Sequence, residues 1–265
     1  MSITTSTAAS STGHVARTRL RLRFQKLGKI RWTSHRDVAR MWERAFRRLQ
    51  LPLAYSEGFS PRPKVSFGLA LPTGHESVAE YLDVELSDPS GVDLGDLCER
   101  LSDALPVGVD AVAVSVVQPG TPSLQEDVTS CSWQWVAAPA EDHAPPGMAE
   151  MEAGVASVLA AESLVITRSR KGEPVTEDIR AGIRQLGVIG PAGPDPSHGI
   201  WLEAELACQP RAVRPADVLA ALGPGLEERL VRRTHQWILR DGARREPLVG
   251  PDVATDAPHA LERAS

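Results

Sequence analysis

Positive charge is concentrated near the beginning of this 265-residue sequence. Residues 17–72 contain fourteen Lys and Arg against three acidic residues, a balance of +11, which leaves −16 for the rest of a chain whose net charge is −5. This asymmetry favours a polyanionic partner for the basic segment, although an acidic part of the same protein could also neutralise it. Binding of an anion is therefore the chemistry that the sequence indicates first.

The densest basic pattern falls at residues 34–50, where the apolar spacing predicts an amphipathic helix. The apolar face consists of Val38, Met41, Trp42, Ala45, Phe46 and Leu49. Five of the six charged residues on the opposite face are arginines, namely Arg36, Arg40, Arg44, Arg47 and Arg48. Like charges four residues apart destabilise an isolated helix by roughly 0.2–0.5 kcal/mol per pair, so we interpret this face as one that meets a polyanion. A solvated face in an arginine-rich chain and a docking face for an acidic protein remain as alternatives.

Two other groups of cations flank the predicted helix. After it, prolines stiffen the segment GFSPRPKVSF and lower the entropy cost of holding its two cations, although a rigid strand connection explains the prolines equally well. Before it, His35 stands at the helix start and could help to hold an anion there or make a local hydrogen bond. The candidate binding residues are Lys26, Lys29, Arg31, His35, Arg36, Arg40, Arg44, Arg47, Arg48, Arg62 and Lys64.

A stripe of arginines also alternates with apolar residues in RTRLRLRF at residues 17–24, which predicts a strand with one buried face. We expect these arginines on the sheet face that helices leave uncovered. Asp83 and Glu85 should share that face on a neighbouring strand, so we predict that they pair with the arginines. The stripe contains no aromatic residue on which a base could stack.

The elements that must position these residues follow the order β-α-β-β-α-β, which is typical of a ferredoxin-like domain. The predicted segments are residues 17–24, 34–50, 65–71, 80–86, 94–105 and 109–117. A fainter version of this order follows at residues 132–137, 148–162, 164–170, 200–208, 215–222 and 230–239, with an inserted helical turn at 177–185.

The fold class predicted from this order is α+β, with two tandem ferredoxin-like lobes. The basic lobe covers residues 17–118 and the second lobe residues 131–240, joined by a linker at 119–130. Residues 1–16 and 241–265 have the composition of disordered tails.

Several function classes lack their signatures here. The three cysteines, Cys98, Cys131 and Cys208, form no C-x-x-C spacing, and the seven histidines form no metal-binding pattern. No Walker loop or dinucleotide fingerprint follows a predicted strand. We therefore predict no cofactor and no metal. The sequence also shows no membrane-spanning run or secretory signal, so we expect a cytoplasmic protein with buried thiols.

Three motifs in the first lobe carry a family resemblance: K-x-G with W-T-S-H-R-D (residues 26–37), Y-S-E-G-F-S-P-R-P-K (55–64), and S-F-G-L-A-L-P-T-G with E-Y-L-D (66–83). Over roughly residues 19–86 the chain resembles bacterial proteins called radical SAM-linked or radical SAM-associated. Members of that family occur fused to or encoded beside a radical SAM enzyme, often a cobalamin-binding one, and often near ribonuclease and ribosomal-protein genes. The resemblance implies an accessory role, because this chain lacks the three-cysteine cluster motif of the enzyme itself.

These observations favour a non-catalytic protein that binds RNA or presents a substrate to a radical SAM enzyme on a separate chain. One alternative is a metal-independent RNA endonuclease, with His35 and either Tyr55 or Lys64 as general acid and base. The other is a protein-only adaptor that docks on an acidic partner. The sequence identifies no reaction.

Overall fold

The protein, described in a computed structural model over residues 17–170 and 172–248, has a mixed α+β fold. The α-helices are α1 (His35–Arg48), α2 (Leu97–Ala104), α3 (Leu124–Asp127), α4 (Met148–Ala160) and α5 (Pro215–Leu222). The strands are β1 (Thr18–Lys26), β2 (Val65–Phe67), β3 (Glu76–Leu86), β4 (Val109–Val116), β5 (Val128–Pro139), β6 (Val165–Arg170), β7 (Glu173–Asp178), β8 (Ile183–Pro191), β9 (Ile200–Ala207), β10 (Leu226–Arg240) and β11 (Ala243–Arg245). Within these ranges, every helix is too short or too polar to cross a bilayer.

One nine-stranded sheet runs through both halves of the chain in the order β4-β1-β3-β10-β5-β9-β8, with β2 paired to β3 and β11 paired to β10. The pairings are antiparallel except for a short parallel contact between β3 and β10, at Glu76 opposite Arg232 and Ser77 opposite Arg233. This contact joins the two halves into a single sheet. The hairpin of β6 and β7 forms a separate two-stranded sheet.

The two halves have the same internal strand order. In each half the fourth strand lies beside the first, the first beside the third and the third beside the second, giving β4-β1-β3-β2 and β10-β5-β9-β8. The β6–β7 hairpin is inserted into the second half between α4 and β8. The predicted linker region, 119–130, contains α3 and the first residues of β5, and the predicted tail from 241 includes β11.

The helical turn predicted at residues 177–185 is shorter than expected: residues 180–182 form a 3-10 turn, between β7, which ends at Asp178, and β8, which begins at Ile183. Ile183 and Leu186 are both buried despite their odd spacing. A register shift between Ile183 and Gln185 accounts for this, since an extra residue in a strand resets which side chains face the core.

Helix α1 forms where its apolar spacing predicts. Its N-cap is Ser34, whose side-chain oxygen accepts a hydrogen bond from the Asp37 backbone N–H at 3.2 Å. Trp42 and Phe46 are fully buried against β1 and β3, and the rings of Phe24 and Trp42 meet edge to face at 5.1 Å. Burying this face turns the arginine face outward. A second core, around Trp135, Leu202 and Leu206, lies under α4 and α5.

Candidate functional site

The arginines of β1 form hydrogen bonds and ion pairs with other residues of the protein. The Arg21 guanidinium donates to both Asp83 carboxylate oxygens, at 2.7 and 2.9 Å, and both side chains are buried. Arg23 donates to Glu246 at 2.9 Å, while Arg19 donates to the Thr121 carbonyl at 2.5 Å. These arginines are therefore held by structural partners, as expected for Asp83.

The prediction that Glu85 also pairs with the strand arginines is wrong. Its carboxylate accepts a hydrogen bond from Lys64 at 3.0 Å instead, because the chain before β2 runs alongside β3. The expected open sheet face is covered as well, since Leu248 is buried against Ala79 and Tyr81.

Glu76, at the start of β3, anchors the loop between β1 and α1. Its carboxylate accepts a hydrogen bond from the Gly28 backbone N–H at 2.8 Å and from Arg232 at 2.6 and 3.1 Å. The Arg31 guanidinium lies 3.5 Å from the same carboxylate. Arg31, one of the candidate binding residues, is therefore partly committed to an internal ion pair.

Lys26 is also a structural residue in this fold. Only 2% of it is exposed, and its ammonium donates to the carbonyls of Arg31 and Thr33, each at 3.0 Å. Burial lowers the pKa of Lys26, and the charge of nearby Glu80 partly opposes that shift. Lys26 thus stabilises the loop that carries Lys29 and cannot reach a ligand at the surface without rearrangement.

A small cavity of about 10 Å³ lies between the N-terminal end of α1 and the sheet, bordered by His35, Lys26 and Glu80 among apolar side chains. Arg233 donates to the Glu80 carboxylate at 3.0 Å, and burial raises the pKa of that carboxyl. The edge of the His35 ring contacts Phe67, with 5.3 Å between ring centroids. The cavity has room for about one water molecule, which is too little for a substrate.

The proposed acid and base of an endonuclease do not share this cavity. Among the described residues that line it, neither Tyr55 nor Lys64 is present, and Lys64 is paired with Glu85. Tyr55 is exposed on the loop that follows α1. The described residues also contain no group of three His, Cys, Asp or Glu side chains placed to hold a metal ion.

The arginines on the outer face of α1 have fewer partners in the described part of the protein than the arginines of β1. The α1 arginines are exposed, and within the described residues Arg36, Arg44, Arg47 and Arg48 make no ion pair. Arg40 lies 3.3 Å from Asp37, but both side chains are about half exposed, so the pair contributes little. With a rise of 1.5 Å per residue, the row from Arg36 to Arg48 extends for about 18 Å.

The loop at residues 55–63 carries an exposed aromatic side chain and an exposed cation. The loop is closed by two hydrogen bonds between Ser56 and Arg62, and Tyr55 bridges to Pro63. Phe59 at its tip is fully exposed, and Arg62 is also an exposed residue. Sequence reasoning selected Arg62 and passed over Phe59, although an aromatic residue among Gly, Ser and Pro, outside any apolar repeat, was the available signal.

A second exposed aromatic residue lies shortly before α1 in the chain. Trp32 is 65% exposed, and the Arg31 guanidinium carbon lies 5.4 Å from the centre of its ring. Gly74 packs closely against the Trp32 ring, since a Cβ at this position would approach the ring to 2.9 Å. Its φ of +89° also favours glycine. Lys29 is exposed on the same loop.

Residues 19–215 match the family described as "Uncharacterized protein conserved in bacteria (DUF2344)". The chain belongs to this family. No curated protein matches it significantly. The region matched by DUF2344 contains α1, the 55–63 loop and Glu76, whereas Arg232 and Arg233 on β10 lie beyond it.

Proposed function

We propose that this protein binds RNA through an exposed basic surface and presents it to a radical SAM enzyme on a separate chain, without catalysing the reaction itself. The basic surface is defined as Lys29, Arg36, Arg40, Arg44, Arg47, Arg48 and Arg62. The observation that carries the proposal is the contrast between two sets of arginines. Those of β1 have acidic or carbonyl partners at buried or partly buried positions, whereas four on α1 have none among the described residues.

Unpaired arginines along one helix face repel one another, so a bound polyanion would relieve an unfavourable interaction. The guanidinium group also suits phosphate, because its planar array of donors can bind two phosphate oxygens at once. The Arg40–Asp37 pair is exposed and easily exchanged for a phosphate contact. A surface of this kind binds nucleic acid with an affinity that falls steeply with salt.

Exposed aromatic residues favour single-stranded RNA over a duplex as the ligand. Phe59 and Trp32 are both exposed, the Arg31 guanidinium lies over the Trp32 ring, and Arg62 is on the same loop as Phe59. Unpaired bases can stack on such rings, and stacking is tolerant of sequence because every base has an aromatic face. The two rings lie before and after the charged helix in the sequence, so we expect stacking on them to add to its phosphate contacts.

The link to a radical SAM enzyme rests on the motif resemblance of residues 26–83. Gly28 of the first motif donates its backbone N–H to Glu76, which lies between the two parts of the third motif, and this bond holds the loop carrying Lys29, Arg31 and Trp32. The motifs therefore include both a scaffold and exposed residues, as a docking or presenting surface requires. We also infer that each half is a ferredoxin-like lobe, supported by the strand order that the halves share, and that the protein acts in the cytoplasm.

A tagged pull-down in which RNA and protein are both identified, with and without nuclease treatment, tests this role. The proposal expects co-purified RNA together with a radical SAM enzyme. An acidic protein recovered without RNA would support the adaptor instead. Cleavage of added RNA by the pure protein, lost on His35→Ala, would support the endonuclease. Recovery of neither RNA nor a radical SAM enzyme would contradict the proposal.

A further inference from the structure

Two cysteines that are 77 residues apart in the chain meet in the second half of the sheet. The sulfur atoms of Cys131 on β5 and Cys208 just after β9 are 3.4 Å apart. The backbone N–H of Cys208 donates to the Thr129 carbonyl at 2.9 Å, so the pairing of β5 with β9 fixes this approach. Cys131 is 1% exposed, whereas Cys208 is partly exposed. One thiol is therefore shielded and the other accessible.

A buried cation, Arg233, lies on β10, the strand that pairs with the β5 strand of Cys131. The Arg233 guanidinium is held by Glu80 and by the carbonyls of Leu69 and Ala70, all at 3.0 Å. Its charge favours a thiolate at either cysteine.

The two thiols differ in how readily each one ionises. A hydrogen bond from the Cys131 thiol lowers the pKa of Cys208, and Arg233 and Arg184 lower it further, against burial and the charge of Glu205. The same hydrogen bond raises the pKa of Cys131, with burial adding to that shift. Cys208 is the partly exposed member of the pair, and its lowered pKa agrees with that position, so it is the thiol suited to be the nucleophile.

We propose that Cys131 and Cys208 form a reversible redox pair whose oxidant is a hydroperoxide. The Cys208 thiolate attacks one oxygen of hydrogen peroxide, which forms a sulfenic acid and releases hydroxide. The Cys131 thiol then attacks the sulfenic sulfur, so that a disulfide forms and water leaves with the thiol proton. Each sulfur loses one electron, and the peroxide gains two. Closing the bond needs the sulfurs to approach to about 2.0 Å, and a dithiol reductant reverses the reaction.

Cys98 provides a matched internal control. It lies on α2 in the other core, partly buried, and the structure places no second thiol beside it. Burial raises its pKa. We therefore expect Cys98 to react with peroxide at least about ten-fold more slowly than Cys208.

The experiment treats the reduced full-length Cys98→Ser variant with hydrogen peroxide, alkylates the remaining thiols and measures intact and peptide masses. The proposal expects loss of two hydrogen atoms, a cross-linked peptide joining Cys131 to Cys208, and reversal by dithiothreitol. In Cys131→Ser, a sulfenic acid on Cys208 should persist and be trapped by a dimedone reagent. If the Cys131→Ser variant does not fold, peptide mapping of the oxidised wild-type protein for the Cys131–Cys208 cross-link provides the test.

Two results would overturn the redox pair. One is that both cysteines remain fully alkylatable after peroxide treatment of the folded protein. The other is that Cys98 in the wild type is oxidised as fast as Cys208. Neither result depends on whether the protein binds RNA.

Discussion

The Arg21 guanidinium and the Asp83 carboxylate form a two-point hydrogen-bonded ion pair across β1 and β3, with only 3% and 4% of their side chains exposed. Removing one partner of such a pair leaves a buried charge without compensation. The pair holds the strand that precedes α1 and thereby the orientation of the arginine helix. Because Arg21 is buried in this pair, it is not part of the basic surface.

Asp83→Ala should lower the free energy of unfolding by about 3–5 kcal/mol, because it leaves Arg21 charged and unpaired in the sheet. Glu85→Ala on the same strand is the matched control, and it should cost about 1 kcal/mol or less since its pair with Lys64 is one-third exposed. Urea unfolding followed by circular dichroism measures both changes. Equal losses in the two variants would contradict the distinction.

Tyr81 should make the protein sensitive to alkaline pH. Its hydroxyl donates to Glu246 at 3.3 Å, and burial raises its pKa far above the ordinary value. The folded state keeps this proton at a pH where the unfolded chain releases it, so stability falls as pH rises above about 10.

The variant Tyr55→Phe leaves Tyr81 as the only tyrosine in the chain. Tyrosinate absorbance in this variant should rise only together with the loss of far-ultraviolet circular dichroism. Tyrosinate formation in the still-folded variant near pH 10 would contradict the predicted shift.

Phe59→Ala should weaken binding to single-stranded RNA by about 1–3 kcal/mol, or roughly 5- to 150-fold, if one base stacks on the ring. Stability should not change, because the side chain is fully exposed. Val165→Ala, at another exposed apolar position in the second half, is the control. Fluorescence anisotropy with a labelled oligonucleotide gives the affinities, and equal affinities for the two variants would rule out stacking on Phe59.

Much of the first half follows from local periodicity. The α1 pattern fixes which face is buried, because apolar residues repeat at the helical period over the whole segment. The alternation in β1 likewise predicts a stripe of arginines, and an antiparallel register places Asp83 opposite Arg21. Local periodicity could not show that Lys64 forms an ion pair with Glu85. This pairing depends on the path of the irregular segment between α1 and β2.

Features that depend on long-range contacts were not predictable. The contact of Cys131 with Cys208 arises from the register of β5 with β9, for which the spacing of cysteines gives no signal. The cover over the β1 arginines comes from residues 246–248, in a segment whose composition suggests disorder. In β8, a register shift replaced the two-residue period that identifies strands. Each of these belongs to tertiary packing rather than to local sequence.

The proposed binding of RNA depends most on the unpaired arginines of α1, and the salt dependence of RNA affinity tests them directly. The variant replaces Arg36, Arg44, Arg47 and Arg48 by Gln, and the control replaces Arg100, Arg211, Arg229 and Arg240, which are exposed but each paired with an acidic residue. Affinity for a single-stranded RNA is measured across a series of salt concentrations.

We predict that the negative slope of log affinity against log salt becomes shallower by about 3 in the α1 variant. Each of the four lost phosphate contacts removes about 0.7 from the magnitude of the slope. The control variant should keep the slope of the unmodified protein. Equal slopes in the two variants, or no binding of RNA at low salt, would contradict the central claim.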